Sequence, residues 1–129
     1  MSEQRAPKKI LIVDDDRASR VLARTMLQAC EEPIHVMEAI GGQQALRMIE
    51  ANHPDLVLLD ILMPDIDGVS ICHSLKRDPQ TRAMKILMVT ARRDERMIRA
   101  GLLAGADDYI TKPFTRQQFL TAVTRLIKD

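Results

Sequence analysis

Aromatic residues are nearly missing from this 129-residue chain, which has no tryptophan, one tyrosine and two phenylalanines. Tyr109, Phe114 and Phe119 are too few to build the stacking platforms on which single-stranded nucleic acids lie. A dominant charge is lacking as well. Nineteen basic and 18 acidic residues leave a net charge of +1, so bulk electrostatics selects neither nucleic acid nor a membrane surface as the main partner. No apolar run approaches the roughly 20 residues that span a bilayer. The opening MSEQRAPKK is polar and has no apolar segment of the kind a secretory signal needs. Cysteine is scarce: Cys30 and Cys72 fall in predicted helices without metal-like spacing, and read as reduced thiols of a cytosolic protein.

What is present is the balance of a folded domain, 46% hydrophobic and 29% charged. The length suits one core rather than two. With aromatics scarce, eight methionines and the aliphatic residues must fill that core. Short β-branched or aliphatic runs alternate with longer stretches of helical periodicity, the pattern of repeated βα units on a parallel sheet. Strands are predicted over residues 9–13, 34–38, 56–59, 85–89 and 108–111. Helices are predicted over 17–29, 42–52, 69–76, 94–104 and 115–127. The first, third and fourth strands are almost wholly apolar, as expected where helices cover both sheet faces. In the last helix Phe119, Val123, Leu126 and Ile127 form one core-facing stripe, and Thr115 is placed to cap it. His53-Pro54 closes the second helix, because a residue before proline is pushed out of the helical region. The chain stops near the end of the fifth helix, which suits either a free-standing domain or one excised at a boundary.

The chemistry gathers where the strands end. In an open parallel sheet the loops at the carboxyl ends of the strands form the functional crevice. The first strand runs into Asp14-Asp15-Asp16, the third into Asp60, the fourth into Thr90 and the fifth into Lys112-Pro113. With the second strand at the edge, strands one and three are neighbours, so Asp14, Asp15 and Asp60 would share a small volume. Clustered carboxylates resist full ionisation unless a cation neutralises them. Magnesium suits such a set, since it takes oxygen ligands and bridges carboxylate to phosphate. Asp16 reads as well as the N-cap of the first helix. Lys112, held extended by the following proline, would aim its ammonium at Asp60, and the Lys112–Pro113 bond admits a cis form that would help. Thr90 offers a hydroxyl to a phosphoryl oxygen. Tyr109 fits equally a core strand aromatic whose hydroxyl reaches water. His35, His53 and His73 lie apart from the acids and fit neither a catalytic nor a ligand role.

The segments ILIVDDD (10–16), LVLLDILMPDIDG (56–68), VTA (89–91) and GADDYITKPF (105–114) together resemble the receiver domain of bacterial two-component response regulators. The likeness runs over residues 9–128. It implies a doubly wound (βα)5 flavodoxin-like α/β fold with strand order 2-1-3-4-5, behind a flexible segment at residues 1–8. It implies that Asp60 accepts a phosphoryl group from the phosphohistidine of a sensor histidine kinase or histidine phosphotransfer protein. Asp14, Asp15, Asp60 and the Leu62 backbone carbonyl would hold Mg2+ or Mn2+. Lys112 and Thr90 would contact the phosphoryl group, Tyr109 would be an aromatic switch following Thr90, and the face formed by helix 4, strand 5 and helix 5 would engage a downstream effector.

Leu62 and Arg92 flank the site at positions that tune phosphoryl lifetime in such domains. Leucine cannot orient an attacking water, so slow self-dephosphorylation is expected and the chain is not read as an enzyme. One subfamily of these regulators dimerises through charged pairs on the output face. Asp107 and Asp108 match that pattern, whereas Gln118 and Ala122 replace the usual acid and arginine, leaving a monomer or a weak phosphorylation-dependent dimer. Arg92, Arg93, Arg96 and Arg99 form a basic group that either docks an acidic partner or is a solvated face. A magnesium-dependent phosphohydrolase with an aspartyl-phosphate intermediate is the alternative, but it would usually need a general acid where Leu62 stands. A receiver used only for binding is the third reading. No DNA-binding motif is visible.

Overall fold

The computed structural model describes residues 6–91 and 95–128. Residues 1–5 of the expected flexible segment, and Arg92, Arg93 and Asp94 among the expected site and helix residues, lie outside the described residues. Five strands and five helices alternate: β1 (Lys8–Val13), α1 (Arg17–Leu27), β2 (Ile34–Ala39), α2 (Gly42–Asn52), β3 (Leu56–Asp60), α3 (Gly68–Arg77), β4 (Lys85–Thr90), α4 (Glu95–Leu103), β5 (Asp108–Thr111) and α5 (Arg116–Ile127). All strand pairings are parallel, in the order β2-β1-β3-β4-β5. This is the doubly wound arrangement expected from the alternating pattern.

Alternate side chains of the central strands feed two cores. Ile10, Ile12, Leu56, Leu58, Leu87 and Val89 pack with Phe119, Val123, Leu126 and Ile127 of α5 and with Ala23 and Leu27 of α1. Leu11, Val13, Val57, Leu59, Ile86 and Met88 face the other way, onto Ala45 and Ile49 of α2 and Ile71, Cys72 and Leu75 of α3. β3 is buried along its whole length, which accounts for its unbroken apolar run.

Helix starts follow local capping chemistry. Asp16 caps α1 by accepting from the Ser19 amide, Asp67 caps α3 through Ser70, and Thr115 forms a reciprocal capping box with Gln118. α2 ends at His53, before the proline, as expected, and His53 takes the left-handed conformation there. α1 stops at Leu27, short of the expected residue 29. The next amides, of Gln28, Ala29 and Cys30, turn back onto Thr25, Met26 and Leu27 in tighter three-residue steps. Cys30 therefore follows α1 rather than lying in it. Cys72 does lie in α3, where burial pushes its thiol up to about 11, so it is chemically quiet.

The far end of the β4–β5 region is held by one lysine. Lys76 Nζ donates to the Arg82 and Met84 carbonyls at 3.2 and 2.7 Å and to Asp107 Oδ2 at 3.0 Å. Asp107 in turn accepts from the Ile86 amide at 2.8 Å. At the carboxyl end, the loop after β3 closes through the Gly68 amide on the Ile61 carbonyl, 2.8 Å away. A Cβ at Gly68 would sit 2.4 Å from the Asp60 carbonyl oxygen. Gly68→Ala should therefore displace the end of β3 and cost about 1–3 kcal/mol, measured by urea denaturation; unchanged stability would contradict this close approach.

Candidate functional site

Strand register brings the acids together. Val13 pairs with Leu59, so the next residues, Asp14 and Asp60, emerge side by side. β4 pairs Val89 with Asp60, and β5 pairs Thr111 with Thr90. Thr90 and Lys112 therefore leave the same sheet edge, and the Lys112 amide bonds the Thr90 carbonyl at 2.7 Å. The Lys112–Pro113 peptide is cis.

Asp14 and Asp60 are buried and Asp15 is exposed, yet ligand oxygens from all three lie within 4.8 Å of one another. That spacing and an all-oxygen donor set fit a hard divalent cation that keeps part of its water shell. Burial first, and the Asp14 charge second, push Asp60 up to about 6 from its ordinary 3.8, while Lys112 and the Leu62 amide oppose the shift. The Leu62 amide reaches Asp60 Oδ1 at 3.3 Å. Asp14 is fixed more firmly. Its Oδ1 accepts from the Asp16 amide at 2.9 Å, and its carbonyl accepts from Arg20 at 2.9 Å.

The structure corrects one expectation. Lys112 pairs with Asp14 Oδ2 at 2.8 Å rather than with Asp60. The physical reason is position: the lysine reaches the β1–α1 side of the site, where Asp14 and Ser19 both face it. The ammonium also donates to Ser19 Oγ at 3.2 Å. Ser19 is a contributor that sequence reasoning missed. Its signal was only the cap spacing from Asp16, whose carboxylate it also contacts at 2.8 Å.

Thr90 is 1% exposed at the end of β4, whereas Tyr109 on β5 is 39% exposed. Tyr109 is thus not a core aromatic. Phe114 and Phe119 are instead the stacked pair beneath the site, with ring centroids 5.2 Å apart. A small enclosed space lies among Asp14, Asp60, Ser19, Lys112 and Phe114. His53 caps α2, and His35 and His73 lie on β2 and α3.

An open parallel sheet with a carboxylate trio, a hydroxyl and an ammonium at its carboxyl edge defines a doubly wound α/β domain with an acidic crevice at its switch point. Over residues 10–124 the sequence matches the response regulator receiver domain, and the chain belongs to that family. It is 35% identical over 120 residues to the phosphate regulon transcriptional regulatory protein PhoB of Rhizobium meliloti, covering 93% of this chain and 52% of that protein. A putative response regulator from Chloroflexus aurantiacus superposes with a TM-score of 0.89 at 35% identity, covering 96% of this chain and all of the other. The BeF3-activated DrrB receiver domain gives 0.85 at 29%, with coverages of 96% and 100%. The chain spans about half the length of the curated relatives it matches.

The raised Asp60 pKa has a consequence for stability in metal-free buffer. Folded Asp60 holds its proton up to about pH 6, while the unfolded chain releases it near 4. Folding is therefore penalised as pH rises through that window. Asp60→Asn removes the penalty, and should raise the melting temperature at pH 7 by about 5 °C, with the gain gone below about pH 4. A gain independent of pH, read by scanning calorimetry, would contradict the desolvated carboxylate.

Proposed function

We propose that this receiver domain is a phosphoacceptor switch in which Asp60 takes a phosphoryl group from a phosphohistidine. The observation that carries the proposal is the convergence of Asp14, Asp15 and Asp60 within 4.8 Å beside the Lys112 ammonium. Asp14, Asp15, Asp60 and the Leu62 carbonyl would hold Mg2+ (or Mn2+). Once bound, such an ion neutralises charge on the transferring phosphoryl oxygens. An Asp60 carboxylate oxygen attacks phosphorus as the phosphorus–nitrogen bond breaks, and the donor imidazole leaves with the bonding pair. Lys112 is within reach of both acids. Released from Asp14, its ammonium pairs with the new phosphoryl group, and Thr90 donates its hydroxyl from the end of β4. Tyr109, already at the surface, follows Thr90 as the switch.

The signal leaves through the face of α4, β5 and α5. Leu102, Leu103 and Tyr109 are exposed there, beside Ile98, an apolar patch bordered by Glu95 and Arg99 that suits an effector surface. The charged dimer expected of one subfamily is disfavoured. Asp107 is engaged by Lys76 and Asp108 by Arg125 within the same chain, while Ala122 is buried. A monomer, or a weak phosphorylation-dependent dimer, fits this face better. The donor is a sensor histidine kinase or histidine phosphotransfer protein of the cytoplasm, and the output belongs to an effector domain or protein. Among the described residues no helix is long and apolar enough to cross a membrane. The domain acts as acceptor rather than enzyme, since Leu62 projects a half-exposed apolar side chain where a phosphohydrolase would place its general acid.

Intact-protein mass spectrometry with a small acyl phosphate and Mg2+ should show one added phosphoryl group, absent in Asp60→Asn and without the metal. A folded wild-type protein that gains no mass and releases no phosphate would contradict the switch. In the same assay Leu62→Asn should shorten the phosphoryl half-life several-fold, by supplying a group that orients water; general acid–base assistance has room for about 100-fold. An unchanged decay would remove Leu62 from the account.

A further inference from the structure

We infer that Asp65 is a positioning residue, which clamps the β3–α3 loop to the start of α2 and thereby holds the Leu62 carbonyl toward the cation site. The inference rests on the cation site proposed above. α1, α3 and α5 are capped by side chains of their own segments, but α2 begins at Gly41-Gly42 with no local side-chain cap. Asp65 supplies that cap from another element. Its Oδ1 accepts from the Gly42 amide and its Oδ2 from the Gln43 amide, both at 3.0 Å. Oδ1 also accepts from the Ile66 amide at 2.8 Å. These amides hold the carboxyl down at about 2, so it is charged at every working pH.

The placement ties this cap to the site. The loop is closed at its stem by the Gly68–Ile61 bond and at its apex by Asp65. Leu62 lies between Asp60 and that apex, with its amide on Asp60 Oδ1 and its side chain 48% exposed. That side chain is half exposed, so the direction of the Leu62 carbonyl depends on the ties of the segment around it, at Gly68 and Asp65 and through the packed Met63. The apex also fits closely against α2, since a Cβ on Gly42 would fall 2.8 Å from Ile66 Cβ. Ile66 and Met63 pack against the core independently of Asp65. Removing the carboxylate should loosen the apex while leaving the domain folded.

The test is calorimetric titration with MgCl2 of the wild type, Asp65→Ala, Asp65→Asn and Asp55→Ala. Asp55 accepts from the Lys9 amide at 2.8 Å at the opposite end of the sheet, and its variant controls for general destabilisation. Asp65→Ala should bind Mg2+ about 10-fold more weakly, as loss of outer-shell support does. Asp65→Asn keeps an accepting oxygen and should fall between the alanine variant and wild type. Asp55→Ala should match wild type, and saturating Mg2+ should restore phosphorylation of Asp65→Ala. Equal affinities in wild type and Asp65→Ala would overturn the inference alone. So would equal losses in the two Asp65 variants, which would indicate charge rather than clamping, or an equal loss in Asp55→Ala. Absence of Mg2+ binding by the wild type would instead overturn the cation site and this inference with it. Should Asp65→Ala fail to fold, Asp65→Asn carries the same comparison.

Discussion

Two buried carboxylates compete for one ammonium at the edge of this sheet, and the rest of the molecule is arranged around that competition. Asp14 and Asp60 emerge together because β1 and β3 pair in register. Lys112 is within reach of the pair but neutralises only one, so the cluster is electrostatically unfinished. Desolvation pushes the Asp60 carboxyl up to about 6, and Asp14 holds the lysine. Such an arrangement favours whatever brings positive charge and then accepts an anion in the same place. It gives the site a preference before any partner arrives.

The scaffold serves to make that crowding rigid. Both faces of β3 are covered, so the Asp60 backbone has little freedom, and Gly68 is packed directly against its carbonyl. At the opposite end Lys76 gathers two carbonyls and Asp107 into one anchor, fixing where β4 and β5 begin. Under the proposed switch, a new charge at Asp60 would be relieved toward the α4–β5–α5 face. There α4 and β5 are the shortest helix and strand among the described residues, and Tyr109, Leu102 and Leu103 meet solvent. A two-state response to a new charge needs this asymmetry, one end held and the other free to repack.

Much of this was legible in the sequence, because apolar runs and cap residues are local signals. The strands, their burial and the stripe on α5 follow from period and composition alone. The gathering of Asp14, Asp15, Asp60, Thr90 and Lys112 follows from where those runs stop. The partner of Lys112 was not legible. Periodicity says which side chains reach the edge, but not which of two neighbouring acids the ammonium meets. Asp65 was hidden for a different reason: its amide donors belong to a helix 22 and 23 residues earlier, and no local spacing encodes them. The end of α1 was overrun because Gln28 and Ala29 sustain helical composition, while the chain tightens there before turning into β2.

The central claim is that Asp60 is a desolvated carboxylate whose charge depends on a cation. Carbon-13 NMR titration of the aspartate side-chain carboxyls, assigned with Asp60→Asn, tests it most directly. In metal-free buffer the Asp60 resonance should titrate near 6, and saturating Mg2+ should drive the transition well below the usual carboxylate range. A midpoint near 4 that Mg2+ does not move would show an ordinary solvated acid and would contradict the account.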